Sequence, residues 1–269
     1  MSLSITPGTN NVGAYINNID LKNLNETLSL EIKKTLNQFG VIFIKKQNLD
    51  PDAYQRFAKN IGQPVVYPRL KGLDEKYPFI NVIERKPDDK NLSFGSSWLH
   101  QDTSYLANDR PRYTMLMGIE IPVGQGNTIF SSGFNAYEKL PEEIKEKIKN
   151  ATGVFSSAGP IAITRLEREK EMGIKSSESM KAEHPIVKIV KGKKTLYISP
   201  GHLMEIKNVN KEDSNFLKNF LIEHVNKKEF IFSYEWTKGD ICLWDNLSIL
   251  HMASEIKKCK RVMHRITIK

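Results

Sequence analysis

The sequence predicts a mainly β fold, in which a double-sheet jelly roll or barrel carries a few helices on its outside. Eight short runs rich in β-branched and aromatic residues occur between residues 79 and 269, and turn residues separate most of them. Helix patterns are few and do not alternate regularly with these runs, as they would in a parallel βαβ sheet. The combination favours two packed antiparallel sheets.

The N-terminal part predicts two helices around one strand. Residues 26–38 carry leucine and isoleucine at helical spacing and are followed by Phe39 and Gly40, and glycine commonly ends a helix. The apolar run at 41–46 predicts a strand. Residues 51–62 predict a second helix, because Asp50 followed by Pro51 is a good cap and first-turn pair.

Most of the remaining chain is assigned to strands. The predicted strands are 79–85, 112–121, 127–132, 184–190, 195–199, 230–236, 240–245 and 261–269. Two further helices are predicted at 135–150 and 211–226. The stretch 151–183 carries glycine, serine and mixed charges without a clear period, and it is predicted to be a surface excursion or a lid over a pocket.

The composition is that of a globular protein without a membrane span. Of 269 residues, 39% are hydrophobic and 26% charged, and the absence of repeats or linkers predicts one domain over 1–269. Cys242 and Cys259 have no CxxC spacing, and the N-terminus has no signal-peptide pattern, so we expect a cytoplasmic protein. The net charge of +9 comes from scattered basic residues, which argues against a nucleic-acid partner.

The first candidate for chemistry is the pair His100 and Asp102 in the segment SSWLHQDTSY. In an extended segment these two side chains project to the same side, so an imidazole and a carboxylate can reach one metal ion. The pair alone is a weak signal, since a His100 hydrogen-bonded to Asp102 would give the same pattern.

His251 is the second candidate. The segment 240–245 reads as a buried strand that leads into a turn, after which His251 can point back into the sheet interior. Two histidines and one carboxylate on one face of iron(II) form a facial triad with three open positions. A zinc hydrolase could use the same ligand types, so the triad does not identify the metal.

The third candidate is the pair Arg261 and Arg265 on the last predicted strand. Their spacing places both guanidinium groups on one face and His264 on the other. Two arginines that point inward are costly unless an anion meets them. The alternative is an exposed strand with solvated arginines.

Together these segments resemble the taurine dioxygenase family, which includes alkylsulfatase and phenoxyalkanoate dioxygenase relatives. The resemblance rests on ordered motifs and extends, more weakly, over nearly the whole chain. The motifs are WLHQDTSY, GQGNTIFSS followed by NAYEKLP, KGDICLWDN, LHMAS and RVMHRITIK. The resemblance implies a double-stranded β-helix core of the jelly-roll or cupin type.

The resemblance also implies an enzyme that uses iron(II), 2-oxoglutarate and dioxygen to hydroxylate a small anionic substrate, with succinate and carbon dioxide as coproducts. His100, Asp102 and His251 match the metal ligands. Thr128 and Arg261 match the groups that bind 2-oxoglutarate. Family members are commonly dimers or tetramers, so the resemblance further implies a homo-oligomer.

The second arginine and the pocket residues are matched less closely. Arg265 matches an arginine near the metal that contacts the substrate, the cosubstrate or both. The taurine enzyme has a sulfonate-binding histidine near the position of Gln63, and this chain has none there, which argues against taurine itself. His202, Tyr67 and Tyr105 are candidate substrate-binding residues, or packed pocket walls.

Sulfonates, sulfate esters and aryloxy or other carboxylates all remain possible substrates. Two other functions also remain open, a zinc-dependent hydrolase with the same His/Asp/His set and a non-enzymatic jelly roll that binds anions. The zinc hydrolase would give no role to Thr128 and the two arginines, and the binding protein would need no metal. His184 and His224 are predicted to be structural.

Overall fold

The fold is described from a computed structural model, and it is mainly β with a few helices, as predicted. The described residues are 3–67, 70–90, 95–162, 166, 170 and 179–269. Within them, no helix is both long enough and apolar enough to cross a membrane.

The helices begin and end at residues whose side chains explain the boundaries. Asn25 accepts a hydrogen bond from the Leu28 amide at the start of the first helix, and Asp50 does the same for Ala53 at the start of the second. The described α-helices are α1 (Glu26–Phe39), α2 (Pro51–Ile61), α3 (Gly133–Glu138), α4 (Glu142–Ile148) and α5 (Lys211–Val225).

The strands are short, and most pair antiparallel. They are β1 (Ser4–Pro7), β2 (Ala14–Asn17), β3 (Val41–Ile44), β4 (Pro64–Val65), β5 (Asn81–Arg85), β6 (Tyr113–Glu120), β7 (Thr128–Ser132), β8 (Thr152–Ser156), β9 (Lys181–Pro185), β10 (Val187–Val190), β11 (Lys193–Leu196), β12 (Leu203–Lys207), β13 (Ile231–Tyr234), β14 (Ile241–Asp245), β15 (Ile249–Ala253) and β16 (Arg261–Ile268).

One large sheet organises the molecule. Its strand order is β1-β2-β3-β14-β6-β16, and both β4 and β5 pair with β16. All of its pairs are antiparallel except β2 with β3. A smaller antiparallel sheet, β13-β7-β15, packs against it.

The two faces of the large sheet bury different partners. Ile42 and Ile44 of β3 join the core under α1 and α2, whereas Val41 and Phe43 join a second core with residues of the smaller sheet such as Phe130. This is the period of two that a strand buried on both sides requires. Fully burying each such side chain contributes about 1.5–3 kcal/mol.

The remaining strands form a third layer. The sheet β12-β8-β9 and the hairpin β10-β11 share a core with α3, α4 and α5, in which Phe155, Leu196 and Leu221 are fully buried. This layer brings His202 close to His100, and the Gly201 amide donates to the Leu99 carbonyl at 3.0 Å.

Several predicted boundaries were wrong. The helix predicted at 135–150 is two helices, because Pro141 cannot continue α3 and instead precedes the first residue of α4. The strand predicted at 184–190 is split at Ile186, since β9 ends at Pro185 and pairs with β8, whereas β10 pairs with β11.

Other strands were not predicted at all: β1, β2, β4, β8, β12 and β15. The stretch 151–183, predicted as an irregular excursion, contains β8 and the start of β9, so its two ends are strands. Much of its middle part lies outside the described residues.

Candidate metal centre and active site

Two histidines far apart in the sequence meet through a backbone bridge. The His100 amide donates to the His251 carbonyl at 3.0 Å, and the His251 amide donates to the His100 carbonyl at 2.9 Å. His251 lies on β15, and the bridge extends the smaller sheet by one residue. The imidazole centroids are consequently 4.3 Å apart.

Asp102 completes a cluster with these histidines. Its Oδ1 atom lies 3.8 Å from the Nε2 atom of each histidine, and the three potential ligand atoms lie within 4.8 Å of one another. A separation of 3.8 Å is too long for a hydrogen bond, so His100 is not simply hydrogen-bonded to Asp102. Within the part of the chain that is described, no other group of three such side chains was found.

Neighbouring groups orient these three side chains. The Trp98 carbonyl lies 3.0 Å from Nδ1 of His100, which fits Nδ1 as the donor and leaves Nε2 with a lone pair. Oδ2 of Asp102 accepts hydrogen bonds from Thr114 at 2.6 Å and from Arg265 at 2.9 Å, so Oδ1 stays directed to the histidines. Such outer contacts are typical of metal ligands.

Sequence reasoning missed two members of this support. Asn246 accepts from the Trp244 indole at 3.0 Å and donates to the Thr114 hydroxyl at 2.9 Å. Thr114 could have been found, because it is a polar residue in the otherwise apolar run of β6. Asn246 ends the motif KGDICLWDN but has no spacing that reveals its role.

Electrostatics favour the ligating protonation states. Burial opposes ionisation of Asp102, but Arg265 and then His251 outweigh it, and the pKa of this carboxyl falls well below its usual range. Burial, with His100 next, lowers the pKa of His251 to about 3, and burial also lowers the pKa of His100. At neutral pH the cluster therefore has one carboxylate and two neutral imidazoles, as metal binding requires.

Arg261 is a buried cation with no ion-pair partner among the described residues. Its side chain lies on the face of β16 directed into the sandwich, and it is 6% exposed. Nε and Nη2 are buried and have no hydrogen-bond partner among the described residues. Burial lowers its pKa to about 10. Gly126 makes room for it, because a Cβ there would lie 2.8 Å from the Arg261 Cδ.

Arg261 and the cluster line one small cavity of about 40 Å³ between the two sheets. Thr128 of β7 is also on its wall, where its hydroxyl accepts a hydrogen bond from the Trp236 indole at 2.9 Å. The remaining wall is largely apolar and includes Ile83, Leu116, Trp244 and Met263. The cavity thus combines three potential metal ligands with one unpaired guanidinium.

Arg265 is also buried, at 3% exposure, but it is paired. Besides its contact with Asp102, its guanidinium carbon lies 4.6 Å from the ring centroid of Tyr67. The hydroxyls of Tyr67 and Tyr105 are 3.5 Å apart. Since both arginines are buried, the alternative of an exposed strand with solvated arginines is wrong.

His202 joins the same side of the site. Its ring centroid is 5.1 Å from that of Tyr105 and 5.9 Å from that of His100. Its Nδ1 atom lies 2.9 Å from the Ser104 hydroxyl and 3.1 Å from the Ser199 hydroxyl, which fix the ring. The structure therefore brings the candidate pocket residues together near the cluster.

A much larger cleft of about 460 Å³ lies elsewhere, between α3, α4 and the hairpin β10-β11. Its walls include Gln38, Phe134, Tyr137, Lys193 and Lys194. Lys193 donates to the Gln38 carbonyl, and the described walls contain no cluster of potential metal ligands. The functional site is therefore identified by its potential metal ligands and not by the volume of the cavity.

Comparison with known proteins agrees with this geometry. The family model of the taurine catabolism dioxygenase TauD, TfdA family matches residues 4–267. An alkylsulfatase of Acinetobacter baylyi is 30% identical over 97% of this chain and 83% of its own length. An alpha-ketoglutarate-dependent sulfate ester dioxygenase of Pseudomonas putida is 26% identical over 100% of this chain and 90% of its own.

The fold is shared with solved structures. The crystal structure of a taurine dioxygenase from Burkholderia xenovorans superposes with a TM-score of 0.81 at 24% identity, covering 100% of this chain and 91% of the other. Fold and site thus define a β-sandwich protein with a buried His/Asp/His cluster. The chain belongs to the TauD/TfdA family of dioxygenases, and the predicted family and enzyme class are confirmed.

Proposed function

We propose that this protein is an iron(II)- and 2-oxoglutarate-dependent dioxygenase that hydroxylates a small anionic organic substrate. The observation that carries the proposal is the unpaired, buried guanidinium of Arg261 in the same cavity as His100, Asp102 and His251. A metal ion bound by the cluster would not by itself explain why the positive charge of Arg261 is buried in the same cavity. A chelating dicarboxylate explains both features, because it can meet the metal at one end and the arginine at the other.

The donor set fits iron(II). His100, Asp102 and His251 would hold the ion as a facial triad and leave three positions for a bidentate cosubstrate and dioxygen. The ligating protonation states already exist at neutral pH, since Asp102 is ionised and both histidines are neutral.

Arg261 and Thr128 fit the distal carboxylate of 2-oxoglutarate. Two buried nitrogens of Arg261 have no partner among the described residues, and a carboxylate would satisfy both. The Trp236 indole donates to the Thr128 hydroxyl, so the hydroxyl hydrogen is left to donate to an anion.

With iron(II), 2-oxoglutarate and dioxygen bound, the site would supply an oxidant that replaces a C–H hydrogen by hydroxyl and yields succinate and carbon dioxide. The protein contributes orientation and a dry environment. Leu116, Trp244 and Met263 on the cavity wall exclude water, and Thr114 and Arg265 hold the Asp102 carboxylate in place.

The substrate would bind on the side of Arg265, His202, Tyr67 and Tyr105. Arg265 retains a buried Nη1 atom without a hydrogen-bond partner among the described residues, and this atom can donate to an anionic group. We rank sulfate esters first, ahead of sulfonates and aryloxy or other carboxylates, because the two relatives above are named for activity on sulfate esters. Hydroxylation beside the ester oxygen gives a product that collapses to an aldehyde and releases sulfate.

A zinc hydrolase with the same triad is the alternative, but it leaves Arg261 and Thr128 without a role. A non-enzymatic anion-binding protein likewise leaves the triad without one. Neither alternative explains both the His/Asp/His cluster and Arg261 with Thr128, so neither is preferred.

The two packed sheets support a double-stranded β-helix core as part of this proposal, with 1–269 as a single domain and part of 151–183 as a lid. The free cysteines Cys242 and Cys259 fit a reducing cytoplasm. We further propose a homo-oligomer, a dimer or tetramer, by analogy with the family.

Anaerobic calorimetry tests the proposal. We expect 2-oxoglutarate to bind in the presence of iron(II) and to bind much more weakly without metal or to Arg261→Leu. Exposure to air with an alkyl sulfate, an alkyl sulfonate or an aryloxyacetate then identifies the substrate by succinate release. If 2-oxoglutarate fails to bind in every condition, the oxygenase proposal is wrong, and zinc-dependent hydrolysis of the same compounds would be tested next.

A further inference from the structure

A second group of basic side chains lies outside the metal centre, around the buried ring of Tyr197. The ammonium nitrogen of Lys188 is 3.9 Å from the ring centroid, and the guanidinium carbon of Arg110 is 5.7 Å from it. The His184 imidazole packs edge-on against the same ring, with centroids 5.3 Å apart. Three basic residues thus surround one fully buried aromatic side chain.

His184 positions this group and does not supply charge. Its Nε2 atom lies 3.0 Å from the carbonyl oxygens of Ser104 and Leu106, so Nε2 carries the hydrogen and donates to both. Nδ1 is then the acceptor, and it faces Nη1 of Arg110 at 3.4 Å. Burial, followed by Lys188 and Arg110, lowers the pKa of His184 to about 4, so the imidazole is neutral at pH 7.

Arg110 and Lys188 are the cationic members, and neither forms an ion pair with a carboxylate among the described residues, although the charge of Arg110 is near enough to Asp245 to oppose the rise that burial causes in the pKa of that carboxyl. Nη1 of Arg110 donates to the Ala107 carbonyl at 2.6 Å, but its Nε atom is buried without a partner. The Tyr197 hydroxyl is also buried without a partner in the described part of the chain. Burial, and then Arg110, lowers the pKa of Lys188 to about 7. Both side chains are only partly exposed, so the repulsion between the two cations would be relieved by an anion that binds between them.

We propose that Arg110, Lys188 and the Tyr197 hydroxyl form a binding site for a small oxyanion such as sulfate, phosphate or a carboxylate. Nε of Arg110 and the ammonium of Lys188 can each donate a charge-assisted hydrogen bond to it. The site is separate from the cavity that contains Arg261, and the inference does not depend on the proposed oxygenase activity.

The site would act on the loop that follows Asp102. His184 holds the carbonyls of Ser104 and Leu106, and Arg110 holds that of Ala107, so all three contacts fall on one loop. A bound anion fixes Arg110 and therefore reinforces this loop. Anion binding there would stabilise the segment that carries a proposed metal ligand.

Calorimetric titration with sodium sulfate, at constant ionic strength set with sodium chloride, tests the proposal. We expect one saturable site in the wild type, and affinity at least about tenfold weaker in Arg110→Met and in Lys188→Met. Lys181→Met is the matched control, because Lys181 is an exposed lysine of β9. This variant should bind sulfate with the same affinity as the wild type. Titrations with phosphate and succinate distinguish a tetrahedral oxyanion from a carboxylate.

Two further measurements keep the test decisive. Arg261→Leu should retain sulfate binding. If this variant no longer bound sulfate, the anion would lie in the metal-centre cavity and the proposal would be overturned. In the wild type, sulfate should raise the pKa of the Lys188 amine, followed by NMR, to about 8 or higher. An unchanged Lys188 titration, or equal stabilisation of all variants by sulfate, would also overturn it.

Discussion

Arg261 and Arg265 lie on the same buried face of β16, but their electrostatic environments are opposite. Arg265 is ion-paired with Asp102 at 2.9 Å and lies over the Tyr67 ring. Arg261, four residues earlier, is equally buried but has two nitrogens without a partner among the described residues. One arginine is therefore part of the protein's own charge balance, and the other is incomplete without an added anion.

This difference separates a structural contribution from a recognition site. A buried pair contributes little net stability, but removing one member leaves the other charge uncompensated. A buried unpaired charge costs stability and persists where binding requires it. We therefore expect the two arginines to respond oppositely when each is replaced by an apolar side chain of similar length.

The largest expected effect is on the stability of the metal-free protein. Arg265→Met leaves the Asp102 carboxylate buried without its main counter-charge, and we expect the free energy of unfolding to fall by about 3–5 kcal/mol. Arg261→Met removes an unpaired charge and should leave stability unchanged or raise it by about 1 kcal/mol. Urea denaturation in the presence of a chelator measures both. Equal losses in the two variants would contradict the comparison.

The next effect is on cosubstrate affinity. Arg261→Leu should weaken 2-oxoglutarate binding by about 10- to 150-fold, since hydrogen bonds to a charged group contribute about 1.5–3 kcal/mol. Arg265→Met should reduce substrate-coupled succinate formation by at least as large a factor as it reduces the affinity for 2-oxoglutarate. Anaerobic calorimetry and single-turnover assays separate the two. A similar weakening of 2-oxoglutarate by both substitutions would show that the arginines share the cosubstrate.

We expect the pH dependence of folding stability to come from the part of the site around Asp102, and in particular from His251. The pKa of His251 is lowered to about 3 in the folded protein, below the ordinary value near 6.5 in the unfolded chain. As pH falls from about 6.5 toward 3, the unfolded chain takes up a proton that folded His251 does not, so stability is lost in that window. In metal-free His251→Gln, the loss between pH 6.5 and 4.5 should be smaller by about 2 kcal/mol. Urea midpoints at the two pH values test this, and an unchanged loss would argue against it.

The smallest expected effect is on substrate choice. His202 lies beside Tyr105 and is fixed by Ser104 and Ser199, on the Arg265 side of the cluster. His202→Ala should change the ratio of kcat/KM between a sulfate ester and a sulfonate by about tenfold, or about 1.4 kcal/mol, while iron(II) and 2-oxoglutarate still bind. Unchanged ratios across substrates would make His202 a packed wall.

Local patterns predicted several elements of the fold, including one strand that carries site residues. The helices α1 and α2 follow from helical spacing and caps, and β16 follows from its alternation, which correctly placed both arginines on the buried face. The strand β15 was missed, since its short run does not alternate, although the histidine it carries was identified as a candidate metal ligand.

By itself, the sequence determined the mainly β class, the family and the residues of the cluster, because these depend on residue type, order and spacing. Only the tertiary structure decided which groups surround them. The support from Thr114 and Asn246, the pairing of Arg265 and the lack of a partner for Arg261 arise from contacts between distant strands. Such contacts depend on register and on the approach of two sheets, and side-chain electrostatics follow from burial, which no local pattern specifies.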